Sequence, residues 1–230
     1  MVDKQATCPI CGNSSFGPYG LHENVVCTKC GSRARTRLMF LALQQLDLLK
    51  PGKRILHFAP EPGLTEAIFE RVGDGYVVGD FNPKKLKHSP AKQKYEVDLC
   101  QPPEHLLQGK FDLVIHSHVL EHIRCNWALA FLVLHRALQP GAGIHMFSIP
   151  ITGTRASEDL TKLSKPDRLE RFRQGDHMRR FGHKDFPAEL EKLASLTFSR
   201  ALNMRDVIGR EAATRQGASG HVFALVPEPR

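Results

Sequence analysis

Four cysteines close to the N-terminus have a spacing that points directly to metal chemistry. Cys8 and Cys11 lie in C-P-I-C, and Cys27 and Cys30 lie in C-T-K-C after fifteen intervening residues. Each C-x2-C turn can direct two thiolates toward one face of a tetrahedral ion. The pattern predicts a structural zinc ion with four sulfur ligands and no open coordination position. Two disulfides or free thiols are the alternatives.

The second candidate site is the segment APEPG, residues 59–63, which follows the apolar run RILHF. A strand that leads into a dinucleotide site is followed by G-x-G-x-x-G, whose bare N–H groups approach a pyrophosphate. Here Pro60 and Pro62 lack N–H donors, and Glu61 places a negative charge where the phosphate would lie. The turn therefore predicts poor binding of NAD, FAD and ATP. It favours a cationic nucleoside such as S-adenosylmethionine, whose ammonium group Glu61 could face.

Two acids stand where a nucleoside would need hydrogen-bond acceptors. Asp80 closes the run YVVGD about twenty residues after the turn, where a carboxylate can accept both ribose hydroxyls. Asp98 closes the next apolar run, near the expected position of the adenine amino group. With the turn, these acids predict an S-adenosylmethionine site at the ends of the first three strands.

These residues require a sheet that brings several strand ends together. From residue 53 onward short apolar runs alternate with helical patterns, and two late runs, LTFSRAL and HVFALVP, read as a closing strand pair. Such alternation predicts an α/β fold with a Rossmann-like, doubly wound and mostly parallel sheet. We expect three parts: residues 1–32 as a four-cysteine zinc-ribbon-like head, 33–52 as a linking helix, and 53–230 as the S-adenosylmethionine-binding domain.

Three motifs make the chain similar to a known family: HFAPEPG, DLVIHSHVLEHI and GDHMRRFGHKDF. They resemble the class I S-adenosylmethionine-dependent methyltransferases, and more narrowly a bacterial group in which a four-cysteine ribbon precedes an H-F-A-P-E strand. The resemblance extends from Cys8 to about Phe186, and Leu99 would lie beside the adenine. The cofactor-site residues that it implies are His57, Ala59, Pro60, Glu61, Gly63, Asp80, Phe81, Asp98, Leu99, Ser117 and His118.

Methyl transfer requires an aligned acceptor, and a base where that acceptor is a hydroxyl or ammonium group. His118, Glu121 and His122 follow the fourth strand at i, i+3 and i+4, which places them on one helical face. This spacing could suggest a metal. The motif favours a structural or cofactor-shaping role for Glu121 and His122, and His118 is the candidate that faces substrate.

A second set of catalytic candidates lies in the connection of residues 150–184, whose length is typical of a lid or binding loop. His177 is predicted to act as a general base, and Asp176 or Arg179 is predicted to hold the substrate. A lid anchor held by hydrogen bonds is the alternative.

The net charge of +8 and the pI near 9.3 come from local basic runs, such as five lysines and no acid in residues 84–94. Such runs attract anions. We expect a methyltransferase that acts on a small molecule or glycan precursor with negative charge. An RNA methyltransferase is the alternative, although its basic runs lack interleaved aromatic residues for base stacking. A noncatalytic binding module is a third possibility.

No apolar run reaches the length of a membrane helix, and the N-terminal sequence MVDKQATCPICG has no secretory pattern. The expected location is therefore the cytoplasm, where thiols remain reduced. Cys100 and Cys125 stand alone and are expected to be small, buried apolar residues.

Overall fold

The computed structural model describes residue 3 and residues 6–20, 22–217 and 221–228. Its strands are β1 (Phe16–Tyr19), β2 (His22–Cys27), β3 (Ile55–Phe58), β4 (Tyr76–Asp80), β5 (Gln93–Glu96), β6 (Leu113–Ser117), β7 (Ile144–Ser148), β8 (Ser157–Glu158), β9 (Arg179–Arg180), β10 (Ser199–Asn203) and β11 (Val222–Pro227). Its α-helices are α1 (Ala34–Gln45), α2 (Leu64–Val72), α3 (Trp127–His135), α4 (Lys165–Phe172), α5 (Phe186–Leu196), α6 (Met204–Val207) and α7 (Arg210–Arg215).

A seven-stranded sheet forms the centre of the fold, in the order β10-β11-β7-β6-β3-β4-β5. The five strands from β7 to β5 are parallel, whereas β11 runs antiparallel to both β7 and β10. Strand β3 lies between β4 and β6, so the chain turns in opposite directions on its two sides. Ligands of such sheets bind at this switch point, beyond the carboxyl ends of the strands. The predicted Rossmann-like fold class is confirmed, including the closing strand pair.

Helices cover both faces of the sheet, because its central strands are apolar on both sides. All four residues of β3 are buried, and successive side chains point to opposite faces. Ile55 packs in a cluster with α1, α2, α6 and α7, whereas Leu56 packs in a cluster with α3. A third cluster joins α3 and α5 to β7 and β11. Within the described part of the chain, no helix has the length and apolar character needed to cross a membrane.

Helix α1 contributes to the core itself. Its residues Leu38, Met39, Phe40 and Leu43 are buried in the cluster that contains α2 and the sheet. Packing between α1 and the domain body fixes the position of the cysteine-containing segment that precedes it. The polar side chains on the first turn of α1 are thereby held over the ends of the central strands.

The connection of residues 150–184, which the sequence predicts to be a lid or binding loop, contains a helix and two short strands. Helix α4 begins after Ser164, whose hydroxyl accepts a hydrogen bond from the N–H of Asp167, while Pro166 lies in the first turn. Strands β8 and β9 pair antiparallel across the connection. The segment is therefore held in place by its own hydrogen bonds and by contacts with the domain.

Candidate active site

The four N-terminal thiols converge between the hairpin β1–β2 and helix α1. The Sγ atoms of Cys8 and Cys30 lie 3.7 Å apart, and those of Cys11 and Cys27 lie 3.5 Å apart. All four sulfurs fall within 4.8 Å of one another. A tetrahedral zinc ion with Zn–S bonds of about 2.3 Å holds its sulfurs about 3.8 Å apart. The donor set and its spacing thus fit a four-thiolate zinc site.

The charges around the cysteines also suit a cation. Burial raises the pKa of the Cys27 thiol, but hydrogen bonds from Cys30 and Asn13 outweigh it and lower that pKa to about 6. Burial raises the pKa of Cys30 to about 12. Four close thiols therefore carry full negative charge only with a cation among them. Arg37, which is fully buried, donates to the carbonyl groups of Val25, Ser32 and Gln216 and adds a positive charge nearby.

The second cysteine turn packs directly on the turn that follows β3. A Cβ atom at Gly63 would lie only 2.9 Å from the carbonyl oxygen of Cys30, and one at Gly31 would lie 3.3 Å from Pro62. Both glycines also have positive φ angles, of 78° and 71°. Glycine is therefore needed at both positions for this close approach. The cysteine-bearing head forms one wall of the candidate cofactor site.

Glu61 lies in the turn after β3, as predicted, but it does not carry an isolated charge. Arg35, from the first turn of α1, donates to Glu61 Oε1 at 2.6 Å and to the Ser117 hydroxyl at 2.9 Å. The sequence argument that an unscreened carboxylate repels phosphate is therefore wrong in this respect. Within the described chain, Glu61 Oε2 is buried without a hydrogen-bond donor and remains available to a cationic ligand.

The backbone amide at the start of α2 is also occupied. The Gly63 N–H donates to the Glu66 carboxylate at 2.7 Å. A phosphate would need this amide, because helix N-termini bind anions through such free N–H groups. Glu66 thus supplies a reason for phosphate exclusion that sequence reasoning missed. The available sequence signal was the glutamate itself, because a Glu in the first turn of a helix commonly accepts a hydrogen bond from the N–H of the residue that precedes the helix.

The ends of β4 and β5 carry the acids that the sequence singles out. Asp80 is buried, and its Oδ1 accepts from the Asn82 N–H at 2.8 Å. Phe81 follows it with 72% of its surface exposed. Asp98 is exposed beside the buried Leu99, and its Oδ1 accepts from the Cys100 N–H. The structure brings these four residues to the same edge as the turn after β3.

The side chain of His57 cannot contact a cofactor, so this part of the predicted site needs correction. His57 is fully buried within β3, and its Nδ1 lies 2.8 Å from the hydroxyl of Tyr76. Burial lowers the pKa of His57 to about 3, so the imidazole remains neutral. Its position inside a central strand makes it a core residue.

Cys100 and Cys125 are not isolated apolar residues. They form a disulfide that joins the segment after β5 to the segment before α3, and both are only partly buried. The expectation of two separate buried thiols is therefore wrong. Sequence reasoning paired neither residue because 25 positions separate them.

His118 and its neighbours occupy the turn after β6. His118 has a positive φ angle of 52°, which is uncommon for a residue other than glycine and typical of strained functional sites. Its Nδ1 lies 3.3 Å from Oε1 of Glu121, which is fully buried. His122 Nε2 lies 3.9 Å from the same oxygen. The three residues form one cluster, but residues 118–122 lie in the turn between β6 and α3, so the predicted helical face is wrong.

The connection of residues 150–184, called the lid segment below, reaches the same cluster. His177 packs edge-on against the His122 ring with 4.7 Å between ring centroids, and burial lowers the pKa of His177. Asp176 places its carboxylate 3.6 Å from His122 Nδ1. The structure therefore brings together candidates that are more than fifty residues apart.

Arg179 has a different position from the one predicted. It is almost fully buried and donates to the backbone carbonyls of Leu120 and Cys125 and to the Glu158 carboxylate. These bonds engage all three guanidinium nitrogens with the protein itself. Arg179 anchors the lid segment to the turn after β6.

A cavity of about 430 Å³ lies on the other side of His118. The hairpin, helix α1 and the start of the lid form its walls, and Arg33, Arg35 and His118 are its principal polar groups. Arg33 stacks over the Tyr19 ring with 4.0 Å to the ring centroid. Sequence reasoning missed both arginines as site residues. Their only signal was the basic run R-A-R-T-R, which by itself indicates a charged surface.

Comparisons with known proteins agree with this architecture. A solved S-adenosylmethionine-dependent methyltransferase from Mesorhizobium loti is 17% identical with a TM-score of 0.53, and the match covers 82% of this chain and 96% of that one. The 1,6-didemethyltoxoflavin-N1-methyltransferase of Burkholderia thailandensis is 12% identical with a TM-score of 0.51, covering 85% and 79%. Identities this low show a shared fold. No curated protein matches the chain.

A family model described as "Methyltransferase domain" matches residues 32–194. The match begins just before α1 and ends in α5, so it includes the turn after β3, the strand ends, the His118 cluster and the lid segment. The chain therefore belongs to the methyltransferase-domain family and is a methyltransferase.

Proposed function

We propose that this enzyme methylates a small, anionic molecule that binds in the cavity between the hairpin and helix α1. The observation that carries the proposal is the position of Arg33 and Arg35 on the wall of that cavity, beside His118. Arg35 also contacts Glu61 in the turn after β3. One side chain thus borders both the acceptor cavity and the proposed cofactor site.

The cofactor would lie across the ends of β3 and β4. Glu61 Oε2 is a buried acceptor that suits the cofactor's ammonium group. Asp80 would accept hydrogen bonds from the ribose hydroxyls, and the exposed ring of Phe81 offers a surface on which an adenine could stack. Asp98 and Leu99 would border the adenine. When bound, S-adenosylmethionine supplies a methyl group already activated on a sulfonium ion.

The cavity matches a small acceptor in size and charge. A volume of about 430 Å³ lies in the range of small-molecule sites, which is about 300 to 1,000 Å³. Arg33 is held by its contact with Tyr19, and a fixed guanidinium can bind a carboxylate or phosphate with two hydrogen bonds. His22 and His221 complete the polar lining. An acceptor that carries a carboxylate or phosphate fits this set.

His118 is the residue that we assign as general base for a hydroxyl or ammonium acceptor. It lies on the cavity wall, and Glu121 stands behind it at 3.3 Å. A carboxylate this close to an imidazole stabilises the protonated form of the ring through charge. His177 does not line the cavity, so it would not contact the acceptor. Any effect of His177 on the reaction would be transmitted through the cluster that it forms with Glu121 and His122.

The four cysteines are proposed to bind a structural zinc ion. The fit rests on the sulfur separations of 3.5 and 3.7 Å and on the presence of all four sulfurs within 4.8 Å of one another. Metal analysis of the purified chain tests this. One zinc ion lost in a Cys11→Ser variant is the expected result, and unchanged zinc content would contradict it.

Cofactor binding is tested by calorimetry with S-adenosylmethionine. Asp80→Asn should weaken binding about 10- to 150-fold, since a hydrogen bond to a charged group contributes about 1.5–3 kcal/mol. Asp74→Asn is the matched control, because Asp74 is an exposed acid that pairs with Lys92. Equal affinities of the two variants for S-adenosylmethionine would show that Asp80 does not bind the cofactor.

Acceptor binding is tested by incubating the enzyme with labelled S-adenosylmethionine and pairs of small acceptors that differ only in a carboxylate or phosphate. We expect methylation of charged members and a loss of at least tenfold in kcat/KM for Arg33→Met. RNA is the competing substrate, to which the lysines of residues 84–94 could bind. Methylation of RNA alone, with steep salt dependence, would refute the small-acceptor proposal.

A further inference from the structure

The turn after β6 and the lid segment are joined by several hydrogen bonds. The N–H of Met178 donates to the carbonyl oxygen of Glu121 at 2.8 Å. Arg179 donates to Leu120 and Cys125 on the same turn. These bonds fix His177 beside the turn, so the juxtaposition of the two segments does not depend on a ligand.

Glu121 is the unusual residue in this juxtaposition. Its side chain is completely buried, yet among the described residues neither carboxylate oxygen has a hydrogen-bond donor. The closest groups are His118 Nδ1 at 3.3 Å and His122 Nε2 at 3.9 Å, neither of which has hydrogen-bond geometry toward it. A buried carboxylate without donors costs several kcal/mol unless a cation compensates it. A cation close to Glu121 would offset this cost.

His122 is oriented as metal-binding histidines usually are. His122 turns Nε2 toward Glu121 and Nδ1 toward Asp176, whose backbone oxygen lies at 3.3 Å and whose carboxylate lies at 3.6 Å. A metal-binding imidazole commonly directs its second nitrogen to a carbonyl or carboxylate, which fixes its orientation. One nitrogen of His177 completes a set of three ligand atoms that lie within 4.8 Å of one another.

We propose that Glu121, His122 and His177 bind a divalent transition-metal ion, separate from the zinc of the four cysteines. Two imidazoles and one carboxylate are a common ligand set for Zn²⁺ and Fe²⁺, and three protein ligands leave coordination positions open. His118 stands between this site and the acceptor cavity. The metal site does not depend on the identity of the acceptor. Asp176 becomes a residue that orients His122.

Cobalt(II) separates the two metal sites in one titration of the full-length chain. Cobalt bound by thiolates has strong charge-transfer absorption, whereas cobalt bound by imidazole and carboxylate has only weak visible bands. We expect two Co²⁺ ions per chain for the unaltered protein and one for His122→Ala, with the thiolate absorption retained. Cys11→Ser should lose the thiolate absorption and keep the second ion. His88→Ala, which removes an exposed histidine elsewhere, should bind two ions.

The proposal fails if the unaltered protein and His122→Ala bind the same number of ions. His122 is 37% exposed, so its replacement should leave the fold intact, whereas Glu121→Gln alters a buried residue. Calorimetry with S-adenosylmethionine on His122→Ala distinguishes the possible failures. Retained cofactor affinity with unchanged metal content would overturn the metal site and leave the methyltransferase assignment in place. A second ion that persists in His122→Ala, Glu121→Gln and His177→Ala alike would show adventitious binding and also overturn it.

Discussion

Three histidines inside the central sheet should make the enzyme sensitive to acid. His57, His116 and His145 lie on β3, β6 and β7 and are fully buried. His116 packs among Phe131, Phe147 and His145, and within the described chain neither of its ring nitrogens has a hydrogen-bond partner. Burial lowers the pKa of His116 to about 3 from its ordinary value of 6.5. Replacement of His116 by phenylalanine isolates its contribution.

The sign and size of the effect follow from proton linkage. Above pH 6.5 His116 is neutral in both states, so it adds no pH dependence to stability. As the pH falls below 6.5, the unfolded chain binds a proton that the folded chain does not accept until about pH 3, and stability is lost across that interval. At pH 5 the loss is about 2 kcal/mol for this one residue, since each pKa unit corresponds to about 1.4 kcal/mol.

Urea unfolding of the unaltered chain and of His116→Phe, each at pH 7.5 and pH 5, tests this reasoning. The larger ring can overpack the core, which shifts the free energy of unfolding of the variant equally at both pH values. The difference between variant and unaltered chain should nevertheless move by about 2 kcal/mol in favour of the variant at pH 5. Phe147→Leu disturbs the same cluster without removing a titratable group and should show no such movement. Parallel pH profiles for His116→Phe and the unaltered chain would refute a buried, neutral His116.

Three further outcomes are expected. Gly63→Ala should lower the free energy of unfolding by about 1–2 kcal/mol in urea titrations, since alanine disfavours φ of 78° and its Cβ would meet Cys30. Arg35→Met should weaken S-adenosylmethionine binding in calorimetry, since it frees Ser117 and leaves Glu61 without its partner; an unchanged affinity would place the cofactor elsewhere. Arg179→Met should increase proteolytic cleavage within residues 150–184 before global unfolding, and equal cleavage rates would show that Arg179 does not anchor the lid.

Much of the fold was readable from local pattern. The strands β3, β4, β6 and β7 are mostly apolar runs, and Asp80 closes β4 as expected. The order of apolar runs and helical patterns also sufficed for the class of sheet. The connection of residues 150–184 is predicted to be a lid or binding loop, although it contains S-K-P-D, residues 164–167, a recognisable helix start. The prediction missed this helix because it relied on the length of the connection alone.

The parts of the site that depend on tertiary packing were not readable. Arg35 meets Glu61 only because α1 is buried against the sheet, and nothing in the sequence spacing of 26 residues indicates that contact. The same holds for the Cys100–Cys125 disulfide. His57 shows the opposite error, since a family position suggested a ligand contact while burial in β3 turned the side chain into the core.

Arg33, Arg35 and Arg37 connect the cysteine-bearing head to the domain that follows it. Arg37 bonds backbone carbonyls around the cysteine cluster, Arg35 bonds the turn after β3, and Arg33 borders the acceptor cavity. All three side chains project from the start of α1. Backbone hydrogen bonds of Cys27 with Gly31 and Ser32 attach this start to the segment that contains Cys27 and Cys30. Displacement of that segment would move all three groups together. The head thereby fixes groups that border both the proposed cofactor site and the proposed acceptor cavity, because these groups share one helical turn with the cysteine-bearing segment.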